Sequence, residues 1–110
     1  MIVKVKLNKS FSFRIPVELL KKSGFNLKEL SEVFIRENSD NLVEIYEHDC
    51  WPETVEAAIR KEKDGSILVY IPDEFKEHYI FEHHPQIIIS LQDDHILVKS
   101  GKKFAREELY

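Results

Sequence analysis

One phrase of this chain is written twice. Asn8-Lys9-Ser10-Phe11-Ser12-Phe13-Arg14-Ile15-Pro16-Val17-Glu18-Leu19 returns 56 residues later as Asp64-Gly65-Ser66-Ile67-Leu68-Val69-Tyr70-Ile71-Pro72-Asp73-Glu74-Phe75. Each copy reads as a turn, an alternating apolar strand, an Ile-Pro step and a helical start. Self-similarity at a fixed spacing constrains a fold more than any single motif. A unit of about 50 residues buries too little surface to stand securely alone. The two copies are therefore expected to share one core within 110 residues.

Residue by residue, Ile2 to Leu7 alternates, with Val3, Val5 and Leu7 on one face and Lys4 and Lys6 on the other. Asn8-Lys9 suits a two-residue hairpin turn. Ser10 to Ile15 reads as the return strand, with Phe11, Phe13 and Ile15 inward and Ser10, Ser12 and Arg14 outward. Pro16 fits a first helical position, and Gly24 closes a helix over Val17 to Ser23. A second hairpin is expected from Glu32 to Glu37 and Leu42 to Glu47. After a linker, the pattern resumes with a strand around Ala57 and Ile59, the Asp64-Gly65 turn, a strand from Ser66 to Ile71, and a short helix from Pro72 to His78. Strands at Ile87 to Leu91 and Ile96 to Lys99 complete it. In these last strands the copies align at a spacing of 54, which matches Val33 with Ile87 and Val43 with Leu97. The expected organisation is a first, basic unit over 1–47, a linker over 48–56, a second, acidic unit over 57–100 and a charged tail over 101–110.

Charge separates the copies. Residues 1–28 hold seven basic side chains and one acidic, a balance of +6; residues 29–110 hold nine and nineteen, a balance of −10. The chain is a basic head on an acidic body. No apolar run approaches the roughly 18 residues of a membrane span. Cys50 is the only cysteine and forms no internal disulfide, which fits a reducing, cytoplasmic setting.

Phe13, Ile15, Pro16, Glu18, Leu19, Lys21, Gly24 and Phe25, followed by Val33, Ile35, Val43 and Ile45, give a layout that resembles the SpoVT-AbrB family of swapped-hairpin DNA-binding domains. That family includes transition-state regulators and MazE-type antitoxins, and a tandem pair resembles the MraZ arrangement. The family's Gly-Arg pair before the second strand falls on Phe11 and Ser12, and its Gly-Asp before the third strand on Ser31 and Glu32. The resemblance implies a mainly β fold with two short helices: an AbrB-like swapped-hairpin β-barrel in which the two repeats form a pseudo-dimer within one chain.

The outward face of the first hairpin carries Lys4, Lys6, Ser12 and Arg14, with Lys9 at its tip and Lys21 and Lys22 on the helix. A twisted ribbon fits a major groove, lysines at this density neutralise phosphates, and Ser12 and Arg14 stand where base edges would be reached. The plainer reading of the same face is a solvated one. The expected partner is double-stranded DNA, for transcription regulation or antitoxin-like autoregulation. On the second hairpin, Leu68 and Tyr70 read as an exposed protein contact, suited to a homodimer of the tandem chain, or as surface covered by Trp51 or Phe104. The alternative role is a protein-interaction module that has largely lost DNA and binds a toxin or other basic protein. His48, His78, His83, His84 and His95 match no metal-ligand spacing. Neither a phosphate loop nor a nucleophile motif is present. No catalytic residue, metal or cofactor is expected.

Overall fold

The computed structural model describes residues 2–8, 10–39, 42–49, 51–76 and 86–100. In chain order they form β1 (Ile2–Lys6), β2 (Ser12–Ile15), α1 (Val17–Ser23), β3 (Glu32–Ser39), β4 (Leu42–Tyr46), β5 (Val55–Lys61), β6 (Ile67–Tyr70), a 3₁₀ turn (Asp73–Phe75), β7 (Gln86–Leu91) and β8 (Ile96–Ser100). Among the described residues the fold is mainly β with one α-helix. Where a second helix is expected, the described residues make only the single 3₁₀ turn; His78 lies outside them.

All eight strands join in one antiparallel sheet, ordered β1-β7-β8-β4-β3-β5-β6-β2. β1 also lies alongside β2, so the sheet nearly closes into a barrel. Four ladders connect the first four strands to the last four: β1 with β7, β2 with β6, β3 with β5 and β4 with β8. Exchanging β1–β4 for β5–β8 leaves the order around the ring unchanged.

Alternation decides which residues meet inside. Phe13, Ile15, Val33, Ile35, Val43, Ile45, Val69, Ile87, Ile89, Ile96 and Val98 are wholly buried in one cluster. That cluster draws on both halves. Fully burying an aliphatic or aromatic side chain contributes about 1.5–3 kcal/mol, so this shared interior is the main stabilising term.

The hairpin turns of the two halves close alike. Asn8 N donates to Ser12 O (2.9 Å) and Phe11 N to Asn8 O (3.1 Å); Glu62 N donates to Ser66 O (2.9 Å) and Gly65 N to Glu62 O (3.1 Å). The residue before each closing serine has a left-handed backbone, φ 59° at Phe11 and 93° at Gly65. Gly65 is also required sterically, because a Cβ there would stand 2.9 Å from Val17 Cγ2 on α1. Phe11 adopts the same region at a cost of about 1–2 kcal/mol, offset by a half-buried ring packed on the core. The first turn is thus longer than the two-residue Asn8-Lys9 turn expected.

Pro16 leads into α1, Glu18 occupies its first turn and Lys21 and Lys22 its last, each on the side the helix dipole favours. Gly24 ends it at φ 81°. Leu19 and Leu20 bury the inner face, leaving both lysines outside.

Candidate nucleic-acid interface

The outer surface of the barrel places the expected DNA-binding residues unevenly. Lys4 and Lys6 project from β1, exposed, opposite Ile88 and Gln86 of β7. Lys21 and Lys22 are exposed on α1. Among the described residues none of these four lysines forms an ion pair, whereas Arg14, Arg36 and Arg60 all do. Lys9 lies outside the described residues.

Ser12 departs from expectation. It is fully buried. Its amide and hydroxyl both donate to Asn8 Oδ1, at 3.1 and 2.7 Å, and Ser10 adds two more bonds to the same oxygen. The turn consumes the hydroxyl, so Ser12 has no outward face to offer a base edge.

Arg14 remains exposed but engaged. Its Nη2 pairs with Asp64 Oδ2, and its Nε donates to Ser66 Oγ at 2.9 Å. The tip of the second half's β5–β6 hairpin therefore sits against β2, the strand that carries Arg14. Ser66, fully buried, donates its hydroxyl (2.6 Å) and amide (2.9 Å) to Asp64 Oδ1. These bonds first, and the Arg14 guanidinium after them, hold the Asp64 carboxyl below its usual range.

Leu68, read from the sequence as either an exposed contact or a covered surface, is buried. It points away from the core, and its cross-strand neighbours are Arg14 on β2 and Arg60 on β5. Long arginine stems cover apolar surface while their heads stay wet. Tyr70 is half-buried, so the exposed apolar pair that the first of those readings places on the second hairpin does not exist.

A second polar assembly, on the outer face of β3, β4 and β8, was not anticipated from the sequence. Glu44 is nearly buried there. Its carboxylate accepts from Arg36 Nη1 (2.9 Å), Asn38 Nδ2 (3.3 Å) and Tyr46 Oη (3.2 Å), with His95 Nε2 at 3.3 Å. Arg36 also stacks on Trp51, 4.8 Å from the ring centroid. Burial, and then the neighbouring Glu44 charge, raises the Tyr46 hydroxyl above its ordinary pKa. Arg36 and Glu44 face each other in the β3–β4 register. That opposite-charge pairing across a hairpin is the signal that would have found them.

Beside this assembly lies an open cleft of about 410 Å³, bounded in part by Glu29, Leu30, Glu32, Phe34, Glu47 and Asp49. Among the described residues no group of three or more His, Cys, Asp or Glu side chains is arranged to hold a metal ion. His78, His83, His84 and Cys50 are outside those residues. No helix among the described residues is long and apolar enough to cross a membrane. No protein-family model and no curated protein matches the chain.

Proposed function

We propose that this chain is a tandem, AbrB-like swapped-hairpin protein that binds double-stranded DNA through the basic face of its first half, in transcription regulation or antitoxin-like autoregulation. Three features support the pseudo-dimer reading. The ring order survives exchange of the halves, the two hairpin turns carry the same bonds, and Phe11 takes a left-handed conformation at the position the family gives to glycine.

The observation that carries the DNA reading is the state of the lysines. Lys4, Lys6, Lys21 and Lys22 are exposed, and no carboxylate among the described residues neutralises them, in a chain that otherwise pairs its described arginines. Ammonium groups left unpaired in an acidic protein fit an external polyanion. Phosphate contacts of this kind give affinity without sequence preference. Ser12 and Leu68 have no part in this reading.

Titrating a fluorescent duplex with the chain at several salt concentrations tests it. Four phosphate contacts give a slope of log K against log salt of about −3.6. Binding that is absent at about 50 mM salt, or indifferent to salt, would defeat the proposal.

The acidic cleft favours a second reading, in which the same fold binds a basic protein segment such as that of a cognate toxin. Four carboxylates line it together with the apolar Leu30 and Phe34. A stoichiometric complex with a basic polypeptide, and no DNA retention, would select this reading over the first.

A further inference from the structure

The contact between Arg14 and Asp64 joins an arginine of one half to the hairpin tip of the other, 50 residues along the chain. Both side chains are about half exposed, 52% and 50%, so an incoming phosphate can reach the guanidinium that Asp64 holds. The Asp64 charge is not what the turn needs. In the first half's turn the closing serine has an uncharged acceptor: Asn8 Oδ1 takes the Ser12 amide and hydroxyl just as Asp64 Oδ1 takes those of Ser66. An amide oxygen serves there. The second carboxylate oxygen of Asp64 is directed at Arg14 instead. Ser66 reinforces this, since its buried hydroxyl accepts from Arg14 Nε while donating to Asp64.

We propose that Asp64 is a built-in competitor for DNA phosphate at Arg14, by which the second half restrains the affinity of the first half's basic face. The inference rests on the DNA reading above. A phosphate oxygen at Nη2 would have to displace Asp64 Oδ2 and leave Asp64 to water, so in the wild type Arg14 stays with Asp64 and adds no phosphate contact. Removing the carboxylate charge while keeping an acceptor oxygen for Ser66 frees Arg14 without disturbing the turn.

The test compares the wild-type chain, Asp64→Asn, Arg14→Gln and the double variant on one labelled duplex across a salt series. Asp64→Asn is expected to tighten binding about two- to fivefold, the size of an exposed ion pair, and to steepen the salt slope by about 0.9, one further phosphate contact. In the Arg14→Gln background the same change is expected to bring no steepening and little tightening. Salt-dependent binding by the wild type with no gain in Asp64→Asn, or an equal gain in both backgrounds, overturns the inference and leaves the DNA reading standing. Absence of binding by all four proteins overturns both. If Asp64→Asn does not fold, Asp64→Ser, which keeps a short acceptor for the Ser66 amide, replaces it with the same expected outcomes.

Discussion

Phe13 on β2 stands opposite Val69 on β6, and neither has any exposed surface. The pair lies in a ladder that joins the first half to the second. Truncating a buried phenylalanine costs about 3–5 kcal/mol. Phe13→Ala is expected to lower stability by that amount in a single transition, because both halves line one interior. Urea unfolding followed by Trp51 fluorescence and by far-ultraviolet dichroism checks this. The two signals should coincide, and a variant that melts one half before the other would break the shared-core account.

The first hairpin turn depends on one side-chain oxygen. Asn8 Oδ1 accepts from the amides and hydroxyls of both Ser10 and Ser12, and Ser12 is buried. Asn8→Ala leaves the Ser12 amide without its acceptor and the buried Ser12 hydroxyl with Ser10 Oγ alone (2.8 Å), at a cost of about 1–3 kcal/mol. Asn8→Asp retains the acceptor and should cost much less. Thermal melting of the two variants reads the difference.

Glu44 is the hub of the outer polar assembly on β3, β4 and β8. Removing one member of a fully buried ion pair costs about 3–5 kcal/mol. Arg36 retains a third of its side-chain surface, so Glu44→Ala is expected to cost less, about 2 kcal/mol. Arg36 then loses the carboxylate that positions it over Trp51, and the tryptophan emission should shift in the folded protein. Unchanged emission together with unchanged stability would mean that the assembly contributes nothing.

Acid should reveal the Asp64 contacts. Its carboxyl is held below the usual range by Ser66 first and Arg14 next. A depressed folded-state pKa contributes stability above the unfolded value of about 3.9, and that contribution is lost as pH falls through the folded value. Stability of the wild type is therefore expected to decline below about pH 4 more steeply than that of Asp64→Asn. Denaturant titrations at a series of acid pH values measure both curves, and parallel curves would contradict the assignment.

The strands were legible because alternation is local. Val3 and Val5 face the interior on β1, as do Phe13 and Ile15 on β2, where period two places them. The misreadings share a cause in cover and phase. Ser12 has the outward parity of a strand, yet a turn from Asn8 to Ser12 draws it inward. Leu68 has outward parity too, but two arginines on neighbouring strands flank it. Periodicity assigns a face and does not report what lies over it. Val43 aligns with Leu97 in the sequence, whereas Val43 is wholly buried opposite Val98 and Leu97 is half-buried opposite Glu44. The irregularity between Glu37 and Ser39 adds one residue to the β3 side of the β3–β4 hairpin and shifts the phase.

At the candidate site, the lysines were visible and their solitude was not. Lys4, Lys6, Lys21 and Lys22 stand out as a basic cluster in the sequence. That Asp64 neutralises Arg14 while leaving those four alone follows only from the ladder that brings β6 against β2.

The central claim is that the unpaired lysines of β1 meet DNA phosphates. Its most direct test is the salt dependence of duplex binding by the wild type and by Lys4→Gln/Lys6→Gln. Loss of two contacts should flatten the slope from about −3.6 to about −1.8 with the melting temperature nearly unchanged, since both side chains are exposed. A folded double variant that binds with the wild-type slope, or a wild type that binds no duplex at low salt, would contradict it.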